Sequence, residues 1–334
     1  MTGSTHSGEA GISLAVTIDT ECDKGPGWRV RQPLGFRNVL EGVPGRLQPI
    51  FERWGVKPTY LLSPEVLLHD GCIGLFRSLN DRVELGTHLH SEFVGPGMDL
   101  RATETISFQS DFPPEVEFEK LSSLTETFKD RMGYAPASFR AGRFGISTST
   151  LGMLEELGYA VDSSVTPHMW WWRAKGKGVN FLGAPDQPYY PDPRDPRKPG
   201  DSRVLEVPLT LVNRFWDKWP PGLLRRIDPI NRIQTVALNV LVRKRLRCSW
   251  LRPTFATAAE MLALTEYMRG RVGTDRLVLC MMFHSNEATA GMSPYHATAE
   301  EVDDFLARLS GYLEAVFSRF EVKPVGLSDL AAVQ

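Results

Sequence analysis

The sequence predicts an α/β fold built on a parallel sheet that is either closed into a barrel or open. Short apolar runs rich in β-branched residues alternate with amphipathic stretches at helical spacing along most of the chain. Polar and charged side chains follow several of these runs directly, at the strand ends where parallel barrels place their active sites. The length of 334 residues suits one large barrel or two smaller domains, and a hydrophobic content of 42% is enough for a core.

The predicted strands are short apolar runs. The first, 12–19 (ISLAVTID), is rich in β-branched residues and ends in a carboxylate, and Pro64 stops the second, in KPTYLLSP. The other predicted strands lie in RVELGTHLH, PASFRAGRFG, YAVDSSV and RLVLCMMFH. Five reactive side chains lie at or just past the ends of these strands: Asp19, His88, Arg140, Asp162 and His284. A parallel barrel would bring them to one face.

The predicted helices fill the spaces between the strands. Segment 43–55 has apolar residues at helical spacing and closes at a glycine, and 74–79 is a short helix. The amphipathic stretches 115–133 and 299–320 predict two long helices. Segment 147–158 begins with hydroxyl residues suited to an N-cap and ends in a glycine, which predicts another helix.

The middle of the chain departs from this alternation. From about 167 to 208 it is rich in Pro, Trp, Gly and charge (HMWWWRAKGKG, PYYPDPRDPRKPGD), which predicts a long insertion or lid. The following stretch, INRIQTVALNVLVRKRLR, has apolar residues on one helical face. Between Arg214 and Arg252, ten Lys or Arg stand against two Asp, so this stretch is strongly basic in a chain of net charge −2.

We therefore predict a single domain at 12–330, preceded by a disordered N-terminus at 1–11 and containing an insertion at about 167–252. The basic helix at 212–252 has two interpretations. It is either a packed or solvated helix whose arginines pair with acidic groups elsewhere, or a contact for an anionic substrate carrier at a membrane surface.

Composition and motifs argue against several functional classes. No glycine-rich phosphate-binding motif follows a predicted strand, and the net charge of −2 gives no global sign of nucleic-acid binding. The N-terminus lacks the basic and apolar regions of a signal peptide, and no run of about 18 uncharged apolar residues occurs. The four cysteines form no C-x-x-C pair. We expect a cytoplasmic protein with reduced cysteines and no nucleic-acid partner.

The first candidate site is the motif TIDTECDKG at the end of the first strand. Asp19 and Glu21 are two residues apart, so their side chains can point the same way, and Asp23 is a third carboxylate nearby. Two carboxylates on one side suit a metal ligand plus a general base. A helix cap or a solvated turn is the alternative interpretation, because D-x-E is a common sequence.

The second candidate site is THLHSE. His88 and His90 share a side if the strand continues through them, and neutral imidazoles suit Zn, Fe, Co or Ni. A carboxylate would complete a ligand set with open positions for water. Glu92 lies four residues after His88 and could replace His90 if the segment turns helical. A structural histidine at a strand end is the alternative interpretation.

Two arginines and an acid–histidine pair complete the candidates. SFRAGRFG places Arg140 and Arg143 among small residues, and an arginine beside a buried carboxylate orients it and lowers its pKa. A surface salt bridge is the alternative. AVDSSV supplies Asp162 and MMFHSNE supplies His284. An aspartate that hydrogen-bonds one ring nitrogen fixes the tautomer of a histidine, which can then act as a general acid.

The order of these motifs resembles the NodB-homology polysaccharide deacetylases, carbohydrate esterase family four. The resemblance is carried by TIDTE, THLHSE, FRAGRFG, DSSVTP and FHSNEATAGMSPY, and it is closest to a divergent branch with VDTE, HLH and FHS...SPY-type segments. It implies a distorted (β/α) parallel barrel of seven or eight strands, running from about 12 to 330. It also implies a divalent metal and removal of an N-acetyl group from an amino sugar of a polysaccharide or glycoconjugate precursor.

The resemblance further implies a role for each matching residue. Asp19 matches the catalytic base of the family, and Arg140 matches the arginine that holds that base. Asp162 matches the acid that orients the final histidine, and His284 matches the general acid.

Two motifs depart from the pattern of the family. The second, metal-binding aspartate of the usual D-D pair is Thr20 here, and Glu21 is our substitute ligand. The second histidine of the usual H-x-x-x-H is Glu92. We therefore predict that Glu21, His88 and His90 bind the metal, with zinc expected and cobalt, nickel or iron left open.

The remaining expectations concern the substrate. Arg143, Trp171 and Trp172 are expected to contact the sugar, and a hydrophobic lid is the alternative for the tryptophans. A catalytically degenerate carbohydrate-binding protein on the same scaffold and a hydrolase of a non-sugar amide remain alternative functions.

Overall fold

The computed structural model describes residues 11–98, 108–171, 178–227, 248–272 and 277–332. Within these ranges the main element is a sheet of eight strands, all paired in parallel. Its strands are β1 (Ile12–Thr20), β2 (Thr59–Leu62), β3 (Glu84–Leu89), β4 (Ser138–Ala141), β5 (Val161–Asp162), β6 (Leu205–Glu206), β7 (Leu277–His284) and β8 (Val322–Val325). Seven of them follow the order β6-β5-β4-β3-β2-β1-β7 as a half-barrel, and β8 pairs with the start of β1.

Helices pack on the outside of this half-barrel. In the described residues they are α1 (Gln48–Arg53), α2 (Pro64–Leu67), α3 (Asp70–Leu79), α4 (Pro114–Met132), α5 (Thr148–Leu157), α6 (Pro221–Leu224), α7 (Ala258–Val272), α8 (Ala299–Arg319) and α9 (Leu327–Ala331). A π-helical segment, Asn38–Leu47, precedes α1. The predicted ends of two helices are confirmed, because Gly133 and Gly158 close α4 and α5 with left-handed φ values of 85° and 86°.

The pairing register decides which side chains face the interior of the half-barrel. His88 on β3 pairs with Arg140 on β4, and Asp19 on β1 pairs with His284 on β7. Paired residues of neighbouring strands point to the same side, and successive residues of one strand point to opposite sides. The strand ends therefore present a ring of polar side chains inwards, as the sequence predicts for a parallel barrel.

The seam between β6 and β7 is closed by a connecting segment instead of a strand ladder. Thr210 donates its backbone N–H to the carbonyl of Cys280 at 3.0 Å, and its hydroxyl accepts from the Cys280 N–H at 2.8 Å. The Thr210 carbonyl accepts from the N–H of Leu251 at 2.9 Å. These bonds bring residues 249–252 to the mouth of the half-barrel.

The predicted insertion is not one continuous insertion. β6 lies within the predicted range of about 167–252 but belongs to the barrel sheet, where it pairs with β5. The prolines and tryptophans around this two-residue strand concealed it in the sequence. The rest of the described insertion forms three short antiparallel pairs: Trp170–Trp171 with Val179–Asn180, Pro191–Asp192 with Asp195–Pro199, and Leu211–Val212 with Ser249–Trp250.

Several sequence predictions fall on segments outside the described residues. These are the predicted disordered N-terminus, apart from Gly11, and most of the predicted basic helix, at 228–247. Across the parts of the chain that the structure covers, no helix has both the length and the apolar composition to cross a membrane. All four cysteines are free thiols.

Gly86 allows β3 to pack between its neighbours inside the half-barrel. A Cβ at this position would lie 2.5 Å from the carbonyl oxygen of Ser138 and 2.7 Å from Cδ2 of Leu61. The carbonyl belongs to the adjacent strand and cannot move without breaking the ladder. By contrast, Gly152 lies exposed inside α5, and a Cβ there would meet nothing within 4 Å.

We predict that Gly86→Ala lowers the free energy of unfolding by about 2–3 kcal/mol through overpacking. The matched control Gly152→Ala is expected to raise it by roughly 0.5–1 kcal/mol, because alanine has the higher helix propensity. Urea denaturation monitored by circular dichroism measures both changes. Equal effects of the two substitutions would contradict this packing argument.

Candidate metal centre and active site

Three side chains at the ends of two strands converge at the mouth of the half-barrel. Glu21 follows β1, His88 lies in β3, and His90 follows β3 with an extended backbone. Oε1 of Glu21 lies 3.2 Å from Nε2 of His88 and 2.7 Å from Nε2 of His90, and the two Nε2 atoms are 3.1 Å apart. The structure thus brings together the three side chains that the sequence predicts as metal ligands.

The Nδ1 atoms of both histidines contact oxygen atoms outside the cluster, and these contacts determine which ring nitrogen is protonated. Nδ1 of His88 lies 3.0 Å from the carbonyl oxygen of Arg140, which can only accept, so this nitrogen carries the proton. Nδ1 of His90 lies 3.3 Å from Oε1 of Glu92, which also accepts. In the neutral rings both Nε2 lone pairs then face the carboxylate oxygen of Glu21, and a positive charge between these atoms, from a metal ion or from a proton on one of the histidines, would stabilise the arrangement. The donor set therefore fits a divalent transition metal.

The charges around this cluster hold Glu21 in its ionised form. Lys24 forms a buried ion pair with Oε2 of Glu21, leaving Oε1 to face the histidines. Burial alone would raise the pKa of Glu21, but the charges of Lys24 and His90 lower it well below its ordinary value. Burial favours the neutral amine of Lys24, but the charge of Glu21 outweighs it and raises the pKa of Lys24.

Glu92, the reserve ligand in the sequence prediction, instead supports His90 from outside the cluster. Its carboxylate also accepts two hydrogen bonds from Arg143, at 2.6 and 3.2 Å. Burial would raise the pKa of Glu92, but His90 and Arg143 lower it well below its ordinary range. Arg143 has a left-handed φ of 57°, and Gly142 before it has no room for a Cβ, which would lie 2.5 Å from the carbonyl oxygen of Leu89.

Asp19 lies beside the cluster and is held by Arg140, as the sequence predicts. Nη1 of Arg140 donates to Oδ1 of Asp19 at 2.7 Å, and the other oxygen, Oδ2, lies 3.8 Å from Nε2 of His88. Burial would raise the pKa of Asp19, but Arg140, His88 and His284 lower it overall. Asp19 is therefore ionised at neutral pH and has one oxygen directed towards the ligand cluster.

His284 lies on the other side of Asp19, at the end of β7. Its Nδ1 lies 3.1 Å from Oε1 of Glu287, which also accepts from the His284 backbone N–H at 3.0 Å and from Nη2 of Arg252 at 2.9 Å. Burial would raise the pKa of Glu287, but Arg252 and His284 lower it to about 2. Nδ1 also lies 3.2 Å from Nη2 of Arg252, and when Nδ1 carries a proton that proton is directed at Glu287.

The predicted contact between Asp162 and His284 is wrong. Asp162 pairs in register with Phe139, and its neighbour Ser163 is the residue that faces the interior, where it contacts Arg140. Asp162 therefore points to the outer side of the sheet. There it accepts from the hydroxyl of Ser164 at 2.5 Å, opposite Glu206 on β6. Glu287 takes the place that the sequence prediction gave to Asp162.

The two outer carboxyl groups, Asp162 and Glu206, are both fully buried. Burial raises the pKa of Asp162 to about 6. Burial and the nearby charge of Asp162 raise the pKa of Glu206 well above its ordinary value. Burial thus favours the neutral form of Glu206, and both carboxyl groups lie on the outer side of the sheet, behind Arg140.

A cavity of about 680 Å³ opens above the metal-ligand cluster. Its polar floor includes Asp19, the three predicted metal ligands and His284, and Arg143 lies at its edge. Of the two tryptophans predicted to contact the substrate, Trp171 lines the wall, and Trp172 lies outside the described residues. The wall also contains Trp28, whose ring centroid is 4.9 Å from that of His284.

A second group of metal-type donors lies away from this cavity. His168, Asp186 and Asp217 have donor atoms within 4.8 Å of one another. Arg271 forms ion pairs with both carboxylates and already supplies the positive charge that they need. We therefore assign no metal to this group.

The sequence analysis missed several residues of the site. They are Lys24, Trp28, Trp250, Arg252, Tyr295 and the orienting Glu287. A signal for Glu287 was present in FHSNE, because a glutamate three residues after a strand-end residue is typical of a cap that reaches back to the chain. The other positions lie in loops whose spacing carries no regular pattern.

The sequence matches no protein-family model and no curated protein, but several solved structures share the fold. A candidate polysaccharide deacetylase from Mycobacterium smegmatis has a TM-score of 0.50 at 16% identity, covering 99% of this chain and 92% of that chain. A candidate glycoside hydrolase/deacetylase from Parabacteroides distasonis has a TM-score of 0.62 at 15% identity, covering 97% and 71%. Puue allantoinase has a TM-score of 0.50 at 14% identity, covering 98% and 91%.

These likenesses confirm the predicted fold class. Seven of the eight strands of the described sheet form a parallel half-barrel with helices outside, which is the distorted barrel of the NodB-type deacetylases. The predicted resemblance to the polysaccharide deacetylases is thereby confirmed at the level of the fold.

We predict that Glu287→Gln lowers the free energy of unfolding by about 3 kcal/mol at pH 7, because the ionised Glu287 is lost from its buried pair with Arg252. The depressed pKa stabilises the fold above the ordinary glutamate value of 4.5, and this stabilisation is lost as the pH falls towards about 2. The difference between wild type and variant should therefore shrink below pH 4.5.

Urea denaturation at a series of pH values measures this difference. The control is Glu156→Gln, which removes an exposed carboxylate from α5 and is expected to change stability by less than about 0.5 kcal/mol. A stability difference for Glu287→Gln that does not depend on pH would contradict the pairing.

Proposed function

We propose that this protein is a metal-dependent hydrolase that removes the N-acetyl group of an amino sugar. The observation that carries the proposal is the convergence of two Nε2 lone pairs and a carboxylate oxygen from Glu21, His88 and His90. An ionised carboxylate, Asp19, lies on one side of this cluster, and His284 lies beyond it. The fold shared with the deacetylases supports the same reaction class.

Glu21, His88 and His90 would hold the metal, and zinc is the ion that their donor set suits best. A divalent ion supplies Lewis acidity for a water molecule and for the acyl oxygen of the amide. The neighbouring residues orient two of these ligands, because the Arg140 carbonyl and Glu92 fix the tautomers of His88 and His90.

The remaining residues move protons. Asp19 is kept ionised by Arg140, and its Oδ2 can take a proton from the water that attacks the acyl carbon. His284 can donate a proton from Nε2 to the leaving amine when both of its ring nitrogens are protonated, with the Nδ1–H directed at the carboxylate of Glu287. Attack of water forms the C–O bond, and protonation of nitrogen releases the amine as the C–N bond breaks.

Two alternative functions share part of these observations. This chain also shares its fold with an allantoinase, and this likeness favours a related hydrolase of a non-sugar amide as the second candidate. A carbohydrate-binding protein without activity would retain the cavity but have no need of an ionised Asp19 next to the ligand cluster.

We predict that the purified protein, freed of any affinity tag, contains about one equivalent of a divalent transition metal. His88→Ala and His90→Ala should each lose it, whereas the control His69→Ala, outside the cluster, should retain it. Elemental analysis by mass spectrometry gives the stoichiometry. Retention of the metal in both cluster variants would show that these residues are not ligands.

We predict that Asp19→Asn lowers kcat for acetate release from an N-acetylated amino sugar by about 10²–10⁴-fold, with metal content unchanged, because the general base is lost. The control Asp81→Asn changes an exposed aspartate and should retain wild-type kcat. Release of an acid from non-sugar amides alone would favour the second candidate function. Binding of sugar without any hydrolysis would favour the carbohydrate-binding protein.

A further inference from the structure

The wall of the cavity contains a continuous series of aromatic rings, here called the aromatic belt. Its members are Phe144, Trp171, Trp250, Phe255, Tyr295 and Trp28. Successive ring centroids along this series are 5.3, 6.5, 6.2, 5.4 and 5.5 Å apart, which are normal distances for interacting rings. The belt ends on His284, 4.9 Å from the ring of Trp28.

The aromatic belt extends from His284, the proposed general acid, to the solvent-exposed mouth of the cavity. Phe255 is 58% exposed and Trp28 is 36% exposed, so two large apolar side chains stand at the mouth of the cavity. Trp28 also has a left-handed φ of 62°, which is uncommon for a bulky residue. Exposed rings that continue into a cavity mark a surface that binds another apolar group.

Apart from the indole N–H groups of its tryptophans, the hydroxyl of Tyr295 and the guanidinium of Arg252, the side of the cavity that carries the belt is apolar. Besides the belt it is lined by Met169, Cys248 and Met282. Among the described residues, Arg252 is the charged residue on this side of the cavity, and it forms an ion pair with Glu287. Its guanidinium carbon also lies 4.7 Å from the ring of Phe255.

The polar floor of the cavity is also largely paired within the protein. Lys24 pairs with Glu21, and Arg143 pairs with Glu92. Trp171 donates its Nε1–H to the hydroxyl of Thr166 at 2.9 Å. A sugar chain laid along the belt would lose water from many hydroxyls and find few replacement partners, and unmade hydrogen bonds are costly.

We infer that the substrate is an amino sugar that carries a large apolar group, aryl or alkyl, at its glycosidic end, and that this group binds along the aromatic belt. The inference rests on the proposed function, because His284 marks the position of the leaving amine. The amide then lies on the polar floor, and the apolar group extends past Trp28 towards Phe255. An internal unit of a polysaccharide would place a second sugar there instead.

The test compares glycosides of N-acetylglucosamine that differ only in this group: methyl, phenyl and octyl, the last kept below its micelle-forming concentration. Chitotetraose serves as the polymer-like substrate. Acetate release should give a kcat/KM at least about tenfold higher for octyl or phenyl than for methyl, mainly through KM, since each buried methylene contributes roughly fourfold. A better octyl than phenyl glycoside identifies an alkyl group, and the reverse identifies an aryl group.

Equal kcat/KM values for the methyl and octyl glycosides, or a preference for chitotetraose, would overturn the inference while leaving the proposed function intact. Phe255→Ala and Trp250→Ala should each reduce the preference for the apolar glycosides over methyl. Phe255 is largely exposed, so its replacement does not disturb the core. The matched control Trp219→Ala removes a tryptophan that is 43% exposed and lies outside the cavity, and it should retain the wild-type preference.

A binding measurement separates this inference from the proposed function. Octyl glucoside has no amide, so its binding, measured by isothermal titration calorimetry, does not depend on hydrolysis. Binding that weakens in Phe255→Ala but not in Trp219→Ala supports the belt even if no N-acetyl compound is hydrolysed. No binding to the wild-type protein would overturn the inference.

Discussion

The interior of the half-barrel depends on one fully buried residue, Arg140. Its guanidinium donates to Asp19, Thr17 and Ser163, and so joins β1 to the end of β5 across the sheet. Its own carbonyl accepts from Nδ1 of His88. The side chain therefore sets the charge and direction of the proposed base, while the backbone sets the tautomer of a proposed metal ligand. A buried arginine is stable only because each of these contacts is made, so the site and the wall of the barrel share one network.

The two sides of the proposed reaction centre are built in different ways. The metal-ligand cluster is held by regular strand ends and by the short loop after β3, and Gly142, just past the end of β4, lets the chain pass close to Leu89 at the end of β3. The side with His284 is held by Glu287 and Arg252, and Arg252 reaches the site through the seam at Thr210. The cluster is therefore a property of the barrel, whereas the surroundings of His284 depend on how the inserted segments attach to it.

This difference explains what the sequence could predict. The parallel fold, the strand ends and the cluster of Glu21, His88 and His90 follow from apolar runs and from spacing by two, which are local signals. The role of Asp162 was mispredicted because motif order does not reveal which residue of VDSSV points inwards, and the register turns Ser163 to the interior instead. Arg252 could not be predicted from the sequence, because its position depends on hydrogen bonds between residues that are far apart in the chain.

The antiparallel pair of Leu211–Val212 with Ser249–Trp250 has a further consequence for how this chain can vary. It joins the two ends of the intervening segment, 213–248, next to the seam. Lengthening a loop whose ends are already joined costs little free energy, only about 0.6 kcal/mol for each doubling in length. A change in the length of chain between the two strands of this pair therefore has a small entropic cost, because the pair itself holds Trp250 in place. The proposed reaction centre and its periphery can therefore diverge at different rates.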